Sequence, residues 1–300
     1  MDYSLFSRFY GCCLGMVLGE EFALQQGARQ PPTAQRWSTF PLYWLKALVE
    51  AGHWELAIAP KAALRSGPEP LSAAELAIAT LPITLYFHQD LRQQRRYLWQ
   101  IRQIREATPD LSHQVLVFAY VVALALRGQL QPTTLVPQIL AYLNVLAQAS
   151  DRYPDPSPAL VEQFNHLKYL VTKPVPLPIA AQTLHHPASD PTLAIALYTF
   201  LCTPTQWQLT LTRSLTWPAT TPPLVILLGL LSGAHNGIFG IPAHWQGAAS
   251  NLAAFPPDQL APLVTQVLAL WAGVLPGDRP IPPLQTLPVS APNPMNASVS

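Results

Sequence analysis

The sequence predicts an all-α fold, a compact bundle of many helices, and three observations predict it. Apolar residues recur at helical spacing through most of the 300 residues, and capping residues stand immediately before prolines or short apolar runs. No convincing run of alternating apolar and polar residues offers a strand.

The elements follow in chain order. Helical periodicity places helices over Leu5 to Leu24, Pro41 to Ala51 and Trp54 to Leu64. Ser72-Ala73-Ala74-Glu75 has the form of a capping box, in which a hydroxyl and a carboxylate three residues apart satisfy the first free amides, and it opens a helix towards His88. Further helices are expected over Leu91 to Ala107, His113 to Arg127 and Thr133 to Ala149. Ser157-Pro158, Asp190-Pro191 and Thr203-Pro204 each put a cap residue before a proline. Proline is harmless at the first helical position because its missing N–H had no partner there, so these read as three more helix starts. Leu224 to Asn236 and Pro257 to Ala272 complete the set.

Proline supplies 33 residues, about twice its usual share, and clusters between the helices, where it shortens and stiffens connections. We expect one helical domain over residues 1–275. Residues 276–300 are rich in Pro, Ser, Asn and Ala, and burial there cannot offset the entropy of ordering, so a disordered tail is expected. No tandem repeat points to a solenoid.

Composition excludes several classes of function. Half of the residues are hydrophobic and 11% are charged, against roughly 25% charged in ordinary domains, which implies a large core. A net charge of +1 provides no field to gather DNA or an anionic membrane. The longest apolar runs, Val115 to Leu126 and Leu224 to Leu231, fall short of the roughly 20 residues that cross a bilayer. The N-terminal sequence lacks the charged, apolar and small-residue pattern of a secretory signal, so a cytoplasmic location is expected. Cys12, Cys13 and Cys202 form neither a disulfide framework nor a metal-ligand spacing and read as core thiols. The histidines are scattered except for His185-His186, and adjacent residues point apart, so no histidine metal site is expected. No phosphate-binding glycine loop, nucleophile elbow or Cys-His pair is present. The arginines of Leu91 to Glu106 read as the solvated face of an amphipathic helix, the alternative being a docking strip for an acidic partner or RNA.

Two stretches carry a resemblance. Gly11-Cys12-Cys13-Leu14-Gly15-Met16-Val17-Leu18-Gly19-Glu20-Glu21-Phe22-Ala23 is one, and Gly229-Leu230-Leu231-Ser232-Gly233-Ala234-His235-Asn236-Gly237-Ile238, followed by Ile241-Pro242 and Trp245, is the other. In this order and at this separation they resemble the opening helix and the last core helix of the ADP-ribosylglycohydrolase family. Ala79-Thr80-Leu81-Pro82-Ile83 and Ser112-His113 are weaker echoes between them. The resemblance implies an all-helical fold of that family's type and, in the family, hydrolysis that removes ADP-ribose with two magnesium ions. Independently of any family, the same glycines would serve close helix packing.

The resemblance also implies where magnesium would be held: by an acidic position after the first helix's glycines, by a Thr-Asp-Asp-Thr segment before the next helix, and by an Asp-x-Asp-Thr segment opening the last core helix. Here the second falls on Gln35-Arg36-Trp37-Ser38 and the third on Thr220-Thr221-Pro222-Pro223. Magnesium needs hard oxygen ligands, and two dications about 4 Å apart need several negative charges to offset their repulsion. Only Glu20 and Glu21 remain, so the magnesium pair is expected to be lost and no metal ligand is assigned. The candidate catalytic residues are Glu20 and Glu21, whose alternative role is to sit in a solvated or capped last turn of the first helix. The candidate ligand-binding residues are Ser38, His235 and Asn236. These replacements point to an ADP-ribosylglycohydrolase-like protein without catalysis that binds a protein partner or an ADP-ribose-like nucleotide ligand. The alternatives are an active hydrolase with non-standard ligands and a purely structural scaffold.

Overall fold

The computed structural model describes residues 3–26, 36–54, 72–105, 107–148, 154–217, 220–248 and 256–274. Fourteen α-helices and no strand are found among these described residues, as the periodicity predicts. In chain order they are α1 (Leu5–Gln25), α2 (Thr39–Ala51), α3 (Ala73–Ala79), α4 (Leu81–Tyr86), α5 (Leu91–Arg105), α6 (Pro109–Leu126) and α7 (Leu135–Ala147). There follow α8 (Pro158–Thr172), α9 (Leu177–Leu184), α10 (Thr192–Cys202), α11 (Trp207–Ser214), α12 (Pro222–Asn236), α13 (Ala243–Ala248) and α14 (Pro257–Trp271).

Glycine sets the centre of the fold. On α1, Gly11, Gly15 and Gly19 face Gly233, Gly229 and Val225 of α12, a register that makes the two helices antiparallel. A Cβ on Gly11 would stand 2.5 Å from the Gly233 carbonyl oxygen, and one on Gly19 would stand 2.8 Å from that of Val225. Only backbones without side chains approach so closely. Leu224 to Leu231 are fully or almost fully buried around this pair, as are Cys12, Cys13, Leu14, Met16 and Leu18. Helices α3, α6, α10, α11 and α14 pack round the central pair; α2 leans on α14, α5 and α7 on α6, and α8 and α9 on α10. The buried side chains join in one core cluster. Burial also pushes the Cys13 thiol up to about 12, and Cys12 likewise upward, which leaves both as protonated core groups.

Local chemistry accounts for the helix ends. Ser72 and Glu75 form the predicted box, the Glu75 N–H donating to Ser72 Oγ at 3.2 Å and the Ser72 N–H to Glu75 Oε2 at 2.8 Å. Ser157 caps α8 through the Leu160 N–H, and Pro158 is its first residue. Thr108 caps α6 in the same way, so that helix begins four residues before its expected start, with Pro109 first. Gly52 ends α2 at φ 71°, a left-handed conformation that favours glycine.

Other boundaries differ from expectation for identifiable reasons. The helix expected from Ser72 towards His88 breaks at Thr80, because Pro82 has no N–H to continue the ladder. The Thr80 hydroxyl donates back to the Leu76 carbonyl in the last turn of α3 at 2.8 Å. Thr203-Pro204 does not start a helix: the chain turns there and α11 begins at Trp207. Helices α9 and α13 lie in proline-containing stretches that read as connections. The helix expected over Trp54 to Leu64 falls, after Trp54, outside the described residues, as does the tail over 276–300. Helix α6 is long and apolar enough to span a bilayer, the one such helix among the described residues, and 78% of that span is buried inside the protein.

Candidate functional site

The end of α1 meets the start of α2 beside the start of α12, and the two candidate acids lie at this corner. Glu20 is 1% exposed. Its Oε1 accepts from the Trp37 N–H at 2.8 Å, and its Oε2 accepts from the Ser38 N–H at 3.3 Å and from the Ser38 hydroxyl. Burial raises the Glu20 pKa, and the donors from Ser38 and Trp37 partly offset that rise by favouring the carboxylate. Ser38 stands at the N-cap of α2, so the carboxylate of one helix supplies the negative group for the positive end of the next. Glu21 points outward, its Oε2 2.9 Å from Arg36 Nη1 and its Oε1 accepting from Gln25. Three consecutive residues, Arg36, Trp37 and Ser38, thus engage two consecutive carboxylates.

The antiparallel register brings Thr221, Pro222 and Pro223 alongside this last turn of α1. Two prolines open α12 where their missing N–H groups cost nothing, and Thr221 provides no side-chain cap. Proline brings no side-chain oxygen to the corner.

These donors do not fit the magnesium pair that the fold family implies. Both carboxylates are already occupied, one by N–H and O–H donors and the other by a guanidinium. No group of three His, Cys, Asp or Glu side chains able to hold a metal ion is found among the described residues.

His235 and Asn236 lie elsewhere. They end α12 beside the first turns of α1, about 18 Å along that helix from Glu20 if Arg8 marks the near end. The structure therefore brings Glu20, Glu21 and Ser38 together and leaves His235 and Asn236 apart from them. Asn236 is buried, and its Nδ2 donates to the carbonyls of Pro204 at 2.7 Å and Ser232 at 3.0 Å. His235 stands edge-on to Phe200 at 5.5 Å, and burial, reinforced by the Arg8 charge, lowers its pKa to about 4. Arg8 itself is 8% exposed and donates to the carbonyls of Ala125 and Leu126, at the negative end of α6. The turn that follows, with Gly237 at φ 61°, is fastened by the Ile238 N–H donating to Ser7 Oγ at 3.2 Å. The glycine-rich exit of α12 is thus a packing surface against α1.

Sequence reasoning did not single out a second polar cluster. A cavity of about 460 Å³ opens between the start of α6 and the connection from α9 to α10. Asp110 accepts there from Gln114 at 3.0 Å, from Ser189 at 3.0 Å and from Ser157, while Asp190 accepts from the Ala73 N–H at 3.2 Å and the Thr192 N–H at 2.9 Å. Both aspartates serve helix starts, and the Ser157-Pro158 and Asp190-Pro191 pairs were its legible signal.

Comparison with known proteins agrees with the geometry. The sequence matches the ADP-ribosylglycohydrolase family over residues 42–274, and the chain belongs to that family. A solved structure described as an ADP-ribosylglycohydrolase-related protein complex superimposes with a TM-score of 0.59 at 17% identity, covering 90% of this chain and 99% of its own, a likeness of fold. No curated protein matches the chain in sequence. Helix α1 precedes the matched range, so its place against α12 comes from the structure.

Proposed function

We propose that this family member binds without hydrolysing, and that it recognises either a protein partner or an ADP-ribose-like ligand without a magnesium pair. The observation that supports this reading best is the commitment of both remaining carboxylates, Glu20 to Trp37 and Ser38 and Glu21 to Arg36, at the corner where two dications would need several free acids. A general base must reach the proton it abstracts, and Glu20 is buried with both of its oxygens already accepting hydrogen bonds. The solved neighbour's description names a complex, which is in keeping with a partner for this chain. A cytoplasmic location belongs to the same proposal and rests on the sequence reading.

The test is release of ADP-ribose from ADP-ribosylated protein and small-molecule substrates in millimolar magnesium, together with calorimetry of free ADP-ribose in a chelator. No turnover, with ADP-ribose binding that persists in the chelator, is the expected result. Magnesium-dependent turnover that is lost in the Glu20→Gln, Glu21→Gln double variant would instead establish an active hydrolase using these acids.

A further inference from the structure

We propose that Arg36, Trp37 and Ser38 form an internal latch that closes the corner between α1 and α2 in place of divalent cations, so that the fold there is complete without metal. This inference rests on the reading of the corner given above but concerns how the molecule holds together, not whether it turns over a substrate.

Two adjacent acids at the end of a helix create a local problem. Their carboxylates repel one another, and the C-terminal end of α1 carries partial negative charge of its own. One solution is a bound cation. This chain supplies another, because every carboxylate oxygen of the pair has an internal donor: Trp37 N–H on Glu20 Oε1, Ser38 N–H and O–H on Glu20 Oε2, Arg36 Nη1 on Glu21 Oε2 and Gln25 Nε2 on Glu21 Oε1. The guanidinium contributes the single positive charge, 2.9 Å from its partner. The amides contribute the positive end of α2, whose first residue follows Ser38 directly.

The latch also fixes the chain path. Among the described residues, these hydrogen bonds to Glu20 and Glu21 are the ones that tie residues 36–38 to α1, and the Thr39 N–H turns back on the Arg36 carbonyl at 3.2 Å. Glu20, 1% exposed, therefore holds the start of α2 against the last turn of α1, and α2 then packs on α14 and α4. Removing one donor leaves a buried carboxylate short of a partner, which costs more than the average hydrogen bond contributes.

Thermal unfolding of the full chain tests the latch without any ligand. The wild-type melting temperature is expected to be the same in a chelator and in millimolar magnesium. Ser38→Ala and Glu20→Gln are each expected to lower it by roughly 5 °C, with the double variant no worse than the sum and measurably better than additive, because the two residues are one interaction. Arg36→Ala, at a partly exposed position that tolerates change, is expected to lower it less. A wild-type rise of several degrees in magnesium, reversed by the chelator, would overturn the latch even if the protein proved unable to hydrolyse anything. So would strict additivity of the Ser38 and Glu20 changes. Conversely, turnover by a protein whose melting temperature ignores magnesium would defeat the proposed function and leave the latch standing.

Discussion

Gly229 and Gly233 decide more of this structure than any polar residue, because they let α12 lie against the backbone of α1. A Cβ added to Gly233 would run into the Gly11 carbonyl group, which belongs to a rigid helix and cannot move aside. Gly233→Leu is therefore expected to destabilise the protein by at least about 3 kcal/mol, measured by denaturant unfolding, because overpacking here is relieved only by separating the helices. A loss below about 0.5 kcal/mol would contradict the packing described. The spacing of these glycines was legible in the sequence, and so were the acids at Glu20 and Glu21. The partners of the acids were harder to foresee, since Trp37 and Ser38 act largely through backbone N–H groups, which leave no trace in residue type. The sequence also could not show that His235 packs on Phe200 and that Asn236 donates to Pro204, because those contacts join segments more than 30 residues apart in the chain.

Whole helices were legible where apolar periodicity is long and a cap is present, as for α1, α6 and α8, and α12 was legible from its apolar run alone. They were obscure where proline carries two meanings. Pro82 breaks what reads as one helix into α3 and α4, whereas Pro178 sits harmlessly in the first turn of α9 in a stretch that reads as a connection. The junction after α4 also makes stability depend on pH. His88 is fully buried between Phe9 of α1 and Trp271 of α14, at ring separations of 5.1 and 4.9 Å, and its Nδ1 is 2.8 Å from the Leu85 carbonyl oxygen. Burial lowers its pKa to about 4, and the Arg127 charge adds to the fall. The unfolded chain, with an ordinary imidazole near 6.5, takes up the proton first as pH falls. The stabilising contribution of the neutral ring is full above about pH 6.5, declines between there and pH 4, and is constant below, a loss of about 3 kcal/mol. His88→Phe is expected to make the decline in urea midpoints from pH 7 to pH 4 measurably shallower, leaving the share that buried His235 contributes over the same range. An unchanged slope in the variant would show that His88 does not carry it.

At the scale of the molecule, the helical class and the family resemblance could be read from the sequence, and the fold and the family match bear both out. The family's architecture survives with a corner whose acids are bound by the chain itself. The most direct measurement of that claim is anomalous diffraction from crystals grown with manganese as a magnesium substitute. No peak is expected where α1, α2 and α12 converge, with Glu20 still bonded to Trp37 and Ser38. Two strong peaks about 4 Å apart beside Glu20, with Ser38 turned away, would contradict it.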